Sequence, residues 1–204
     1  MITIVDYGLG NVRAFLNVYH RLNIPARAVS GASDLQGSTK VILPGVGAFD
    51  HAMERLASSG MRETLEDLAL GARVPVLGVC VGMQMLARSS DEGTLAGLGW
   101  IEGRVRRFGA EGAFGGLPLP HMGWNDVQPV GGSPLFARLE ADARFYFLHS
   151  YYMACDRARD VAAVSSYGID FCCAVHAGNI YGVQFHPEKS HHDGTRLLRN
   201  FAEL

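Results

Sequence analysis

The chain has 204 residues, 48% hydrophobic and 19% charged, which is long enough to bury a full core and too apolar to be disordered. Lys+Arg 18 against Asp+Glu 20 gives a net charge of −2, so no basic footprint for nucleic acid or an anionic membrane is present. The four cysteines, Cys80, Cys155, Cys172 and Cys173, form no C-x-x-C pair, which fits reduced thiols in the cytoplasm better than a disulfide scaffold.

The opening Met1-Ile2-Thr3-Ile4-Val5-Asp6 has neither the basic stretch nor the cleavage site of a secretory signal. Ile2 to Val5 reads as a buried strand, ended by the turn Asp6-Tyr7-Gly8-Leu9-Gly10. Asn11 can cap a helix running to about Leu22, with Val12, Phe15, Leu16, Tyr19 and Leu22 near helical spacing. Short strands are expected at Ala26 to Val29 and Lys40 to Leu43, and helices at Phe49 to Ala57 and Met61 to Leu70. Val74 to Leu77 is an apolar strand, expected to stop at Gly78 before a helix from about Met83. The whole apolar run from Val74 to Met83 contains two glycines and is too short to span a bilayer.

Strand and helix alternate in this half with glycine turns between them, which predicts an α/β fold with a mixed, mainly parallel central sheet flanked by helices. The second half is strand-rich. Arg104 to Phe108, Phe145 to Leu148, Val161 to Ser166, Cys172 to His176 and Ile180 to Phe185 are expected to extend the same sheet in antiparallel fashion. Ala110 to Pro120, rich in Gly and Pro, is expected to be a mobile loop, and a last helix to run from about Gly194 to Glu203. With no repeat and no linker, residues 1–204 are expected to form a single domain. Adjacent Cys172 and Cys173 point to opposite faces of a strand and read as core.

Three segments carry chemistry. Gly78-Val79-Cys80-Val81-Gly82 has the pattern of a nucleophile elbow with Cys for Ser: a strand enters, a sharp turn exposes the nucleophile, and a helix N-terminus favours a thiolate and a developing oxyanion. By itself the pentapeptide is equally compatible with a buried cysteine on a tight turn. In Gly182-Val183-Gln184-Phe185-His186-Pro187-Glu188-Lys189-Ser190, His186 and Glu188 lie two residues apart. Extended chain would put both on one side, where an imidazole takes a thiol proton and a carboxylate fixes its tautomer. Leu43-Pro44-Gly45-Val46-Gly47-Ala48-Phe49 is a glycine-rich loop between strand and helix whose N–H groups, with that of Val81, could face an oxyanion. It lacks the lysine and hydroxyl of a phosphate-binding loop.

Pro44-Gly45-Val46-Gly47, Gly78-Val79-Cys80-Val81-Gly82-Met83-Gln84 and His186-Pro187-Glu188 resemble the signatures of class I glutamine amidotransferases. Together with Pro120-His121-Met122-Gly123-Trp124-Asn125, Phe145 to Tyr152 and Lys189-Ser190, they resemble the glutaminase subunits of imidazole glycerol phosphate synthases over essentially the whole chain. The resemblance implies a Cys80–His186–Glu188 triad and an oxyanion hole from the backbone of Val46, Gly47 and Val81. It implies a glutamine pocket bordered by Gly47, Gln84, Ser150 and Tyr151, and no cofactor. It also implies ammonia passed through a protected channel to a (β/α)-barrel partner, as a heterodimer making imidazole glycerol phosphate and AICAR. Met122, Trp124, Asn125 and Lys189 are then expected at the interface, with Leu9 and Asn11 as weaker candidates.

Two features depart from the histidine-pathway pattern: Val79 and Val81 in place of the more usual Ile and Leu of the elbow, and His191-His192-Asp193 after Ser190. The Gly97-Leu98-Gly99-Trp100-Ile101 and Asn125-Asp126-Val127 contexts also resemble a paralogous branch that supplies ammonia for surface-glycan sugars. A metal site from His186, His191 and His192 has no supporting carboxylate–histidine spacing, and none is expected. A cysteine peptidase would usually place its histidine close after the nucleophile, whereas residues 81–83 are Val, Gly and Met. A non-catalytic thiol sensor would need Cys80 but not His186 or Glu188.

Overall fold

In the computed structural model, which describes residues 1–109 and 115–204, the elements alternate as expected through the first half. They run β1 (Ile2–Val5), α1 (Val12–Arg21), β2 (Ala26–Val29), α2 (Ala32–Leu35), β3 (Val41–Gly45), α3 (Phe49–Ser58), α4 (Arg62–Glu66), β4 (Val76–Cys80) and α5 (Val81–Gln84). The second half adds β5 (Ser89–Ser90), β6 (Gly103–Arg107), β7 (His121–Asp126), β8 (Gln128–Pro129), β9 (Arg144–His149) and β10 (Tyr151–Cys155). It closes with β11 (Val161–Tyr167), β12 (Ile169–Ala177), β13 (Ile180–Val183) and α6 (His191–Glu203). The loop expected over 110–120 falls partly on 110–114, outside the described residues. Among the described residues no helix is long and apolar enough to cross a membrane.

An 11-stranded sheet has the order β2-β1-β3-β4-β13-β12-β10-β6-β5, with β11 and β8 joined through β12. From β2 to β13 the pairs are parallel, and from β13 through β12 and β10 to β6 they are antiparallel. β1, β3 and β4 are buried at every position, as strands covered by helices on both faces must be. α1 turns Phe15, Val18 and Tyr19 inward and α3 turns Phe49, Ala52, Met53 and Leu56 inward. Asn11 caps α1 as expected, its Oδ1 accepting from Ala14 N at 3.3 Å.

Three expectations are corrected. The strand at Val74–Leu77 does not stop at Gly78 but runs to Cys80, and the helix starts at Val81 rather than Met83. Gly78 is strand because it must be glycine there: a Cβ would come within 2.6 Å of the Gly82 carbonyl oxygen. Phe145–Leu148 does not extend the main sheet. As β9 it pairs with β7 in a separate two-stranded antiparallel sheet, because Phe145 and Phe147 on one face pack onto Phe185 at ring distances of 4.1 and 5.5 Å. The last helix begins at His191, three residues early, on a left-handed φ of 46°. Cys172 and Cys173 are both buried.

Candidate active site

The C-terminal ends of β3, β4 and β13 meet at one edge of the parallel sheet, where open α/β sheets place their ligands. Registers Gly45↔Cys80 and Val183↔Val79 bring the three ends level. Cys80 sits at the turn from β4 into α5 with φ 56° and ψ −114°, a conformation side chains with a Cβ rarely adopt. The turn is this tight because a Cβ on Gly45 or Gly82 would collide with neighbouring backbone, at Gly82 N and the Leu43 carbonyl respectively. The elbow that the pentapeptide suggests is therefore built.

His186 follows β13 on extended backbone and precedes a short 3₁₀ turn, Pro187–Lys189. Its Nδ1 lies 2.9 Å from Glu188 Oε1, with both side chains nearly fully buried. Cys80 also acts on this ring as a hydrogen-bond partner. Burial pushes the imidazole down, but hydrogen bonds and charges of Cys80 and Glu188 outweigh it and raise His186 to about 10. The partners of this ring thus favour its charged form.

The backbone of His186 is fixed on both sides. Its N–H donates to the Tyr146 carbonyl at 2.9 Å, and its carbonyl accepts from Ser190 Oγ at 2.6 Å. Ser190 Oγ in turn accepts from Tyr146 N at 3.0 Å. The fully buried Gln184 donates its Nε2 to Cys80 Sγ at 3.7 Å. Sequence reasoning gave Gln184, Ser190 and Tyr146 no part in the site. The available signal was a glutamine inside the apolar run Ile180 to Phe185, since a buried amide must be satisfied by something specific.

These groups open on a cavity of about 250 Å3, below the roughly 300–1,000 Å3 typical of drug-sized ligands and suited to a small metabolite. Val46, Gly47, Cys80, Val81, Gln84, Ser150, Tyr151, His186 and Lys189 all line it, as does the unforeseen Glu92. Glu92 Oε2 accepts from Phe49 N at 2.9 Å, so its carboxylate stands at the start of α3. Gln84 donates from Nε2 to the Tyr151 carbonyl at 3.3 Å and to Gln184 Oε1 at 3.0 Å. With both amide hydrogens used, Gln84 offers a ligand its carbonyl oxygen. Gly47 has φ +86° and open space where a Cβ would stand, so glycine serves backbone freedom here rather than close packing.

Alternation along β7 divides the expected interface segment. Met122 (66% exposed) and Trp124 (40% exposed) face outward, and Trp124 stacks on His191 at 5.1 Å. His121 is buried, and Asn125 is turned to His121 and the Ser166 carbonyl. Lys189 is exposed, with Nζ 5.7 Å from the Tyr146 ring centre. Leu9 packs partly on the core, and Asn11 is occupied in capping. Among the described residues no three His, Cys, Asp or Glu side chains gather as a metal site.

A strained cysteine between a helix N-terminus and a carboxylate-held histidine, on a mainly parallel sheet, defines a class of hydrolytic enzyme. The chain belongs to the class-I glutamine amidotransferase family, whose model matches residues 4–204. Within that class it is similar to "Imidazole glycerol phosphate synthase subunit HisH" of Bdellovibrio bacteriovorus, 61% identical over the full length of both chains. The subunit of the same name from Leptospira interrogans is 52% identical, also over the full length of both. Among solved structures, a glutamine amidotransferase superposes with a TM-score of 0.76 at 22% identity, covering 99% of this chain and 97% of the other. PurLQS from Thermotoga maritima gives 0.74 at 16% identity with the same coverage. These structures share the fold.

Proposed function

We propose that this chain is the glutaminase subunit of an imidazole glycerol phosphate synthase, working in the cytoplasm in histidine biosynthesis. It would hydrolyse L-glutamine to glutamate and deliver the ammonia to a barrel-type synthase subunit. The observation that carries this is Cys80, poised at the elbow beside a His186 held 2.9 Å from Glu188, in a cavity of about 250 Å3. The names of its relatives favour the histidine route over a surface-glycan one.

In this reading Cys80 attacks the amide carbon of glutamine as a thiolate, with His186 as its imidazolium partner. The tetrahedral oxyanion is met by backbone N–H groups of Val81 at the start of α5 and of the Val46–Gly47 segment. His186 then protonates the departing ammonia, leaving a γ-glutamyl thioester on Cys80. A water, deprotonated by His186, releases glutamate. Glu188 orients the ring and balances its charge. The ammonia travels sheltered, since bulk water at neutral pH would protonate it.

The outward Met122 and Trp124, with Lys189 beside the cavity, are the proposed docking face for the synthase subunit. Large exposed apolar side chains are costly to leave bare, and tryptophan anchors many interfaces. The Gly45-Val46-Gly47 segment is the proposed switch: its peptide can turn either C=O or N–H toward the oxyanion, and one such donor is worth roughly 2.7–4 kcal/mol in the transition state. The test is glutamine hydrolysis by the purified chain, alone and with the synthase subunit and its substrate. Glutamate production should rise at least about a hundredfold on docking, with nitrogen from glutamine appearing in imidazole glycerol phosphate. Equal rates with and without the partner would sink the switch, and absent nitrogen transfer would sink the assignment.

A free amino acid also presents an ammonium, and Glu92 is the carboxylate placed to receive it in the cavity. Glu92→Gln keeps the shape and an acceptor for Phe49 N but loses the charge. The expected result is a rise of about tenfold in KM for glutamine, the scale of one charge-assisted hydrogen bond, with kcat nearly unchanged. Steady-state kinetics of the complex checks it; a fall in kcat at constant KM would place Glu92 elsewhere in the reaction.

A further inference from the structure

Two buried histidines that the mechanism does not use stand beside the cavity. His121 on β7 and His149 on β9 are register partners across the small sheet. Neither ring is appreciably exposed, and His121 is sandwiched between Phe147 and Tyr167 at 4.9 and 4.0 Å. Their ring nitrogens form a chain. His149 Nδ1 lies 2.7 Å from the Tyr151 carbonyl, His149 Nε2 lies 3.0 Å from His121 Nδ1, and His121 Nε2 lies 3.3 Å from Asn125 Nδ2.

Backbone groups pin both ends of this chain. A carbonyl only accepts, so His149 Nδ1 carries a hydrogen. Asn125 Nδ2 donates to the Ser166 carbonyl at 2.8 Å, and its Oδ1 accepts from Asp126 N at 2.9 Å. The amide therefore cannot be turned round, and its nitrogen donates to His121 Nε2. One proton remains to be placed between His121 Nδ1 and His149 Nε2. On His149 it would make that ring a cation and strip His121 to an anion. On His121 it leaves both rings neutral. Both imidazoles are thus neutral with the hydrogen on Nδ1. Burial acts the same way, holding His121 down to about 4 and His149 down to about 3.

We infer that His121 and His149 are positioning residues for the glutamine pocket: His121 caps the single bare nitrogen of His149, and His149 holds the Tyr151 carbonyl that also fixes Gln84. The inference rests on the glutaminase reading above. Its first consequence is silence. His149 lines the cavity with Cys80 and His186, where an imidazole with an open nitrogen would compete for the thiol proton. Capped, it neither takes nor gives one. Its second consequence is geometry. The Tyr151 carbonyl accepts from His149 and from Gln84, and Gln84 reaches Gln184, which donates to Cys80 Sγ. The pair thereby ties a docking-face strand to the wall of the pocket.

Substitutions at 149 separate positioning from packing. Asparagine places an amide nitrogen where imidazole Nδ1 stands, glutamine reaches instead to the Nε2 position, and phenylalanine fills the ring volume with no donor. If the ring only fills space, Phe is the best replacement and Asn the worst. If it holds the Tyr151 carbonyl, the order reverses. In the complex with the synthase subunit, His149→Asn should keep KM for glutamine within about threefold of wild type. His149→Phe and His149→Gln should raise it about tenfold or more, with kcat changed less. At 121 the same logic makes His121→Asn milder than His121→Phe. A second measurement needs neither a variant nor activity. Ring nitrogen NMR of the folded wild-type chain at neutral pH should show both rings protonated on Nδ1 alone. A Phe variant that binds glutamine as well as the Asn variant would overturn the proposal, as would a proton on Nε2 of either ring. If wild type failed to hydrolyse glutamine, the functional reading would fall while the NMR result still decided the ring assignment.

Discussion

Replacing Cys80 by serine is expected to abolish glutamine hydrolysis, by at least about 10⁴-fold, the scale on which removing a triad nucleophile acts. A hydroxyl is nearly the size of a thiol, so the buried site should refold around it. Serine inherits the same φ of 56° and the same weak donor in Gln184. What it lacks is the nucleophilicity of sulfur, since an alcohol is a far weaker acid and nucleophile than a thiol. Synthesis by the complex should survive when ammonia is supplied in place of glutamine, because only the ammonia source has been removed. Circular dichroism, glutamate release and the ammonia-driven reaction together check this. Residual glutaminase activity above a few per cent would remove Cys80 from the nucleophile's role, and failed ammonia rescue would break the proposed division of labour.

His186→Ala should cost on the order of 10²–10⁴-fold in kcat, since one ring serves as partner, acid and base. Glu188→Gln should cost less, and it carries a pH signature. His186 is raised to about 10, with the Glu188 hydrogen bond and charge among the causes. A raised value means that the ring stays protonated below it and loses its proton as pH climbs through it. The alkaline limb of kcat/KM in wild type should therefore bend toward about pH 10. Glu188→Gln removes a negative charge and an obligate acceptor, so its limb should bend at lower pH. A profile unmoved by Glu188→Gln would mean that the carboxylate does not speak to the ring.

Much of the site was legible because its signals are local. The elbow needs its glycines within a few residues of Cys80, and His186 and Glu188 share one short turn, so their meeting required only a strand end. The first half of the sheet was legible for the same reason, as apolar runs bounded by glycine turns. The His121–His149 pair was not, because it is made by register across β7 and β9, 28 positions apart. The sequence His-Met-Gly-Trp-Asn-Asp of β7 also inverts the usual pattern, with Met122 and Trp124 outward and His121 inward, since this strand faces aromatics on one side and the proposed partner on the other. Ser190 was hidden differently. Its hydroxyl works on the backbone of His186, and serine side chains bond backbone in so many turns that the residue type says little. The end of β4 is not legible at Gly78 because a glycine after an apolar run signals a break, whereas here it makes room for Gly82.

The backbone at Cys80 has a consequence for how such a chain evolves. A residue with a Cβ held at φ 56° and ψ −114° costs of order 1–3 kcal/mol relative to glycine, a sizeable share of the 5–15 kcal/mol that keeps a typical domain folded. Selection for stability alone would put glycine at 80. If Cys80 is the nucleophile proposed above, cysteine is kept there by the demand for turnover, and a lineage that lost its need for glutamine-derived nitrogen would relieve the backbone by the same substitution that ended its chemistry. Decay at this position would be favoured from the first step, and the loss would be hard to reverse.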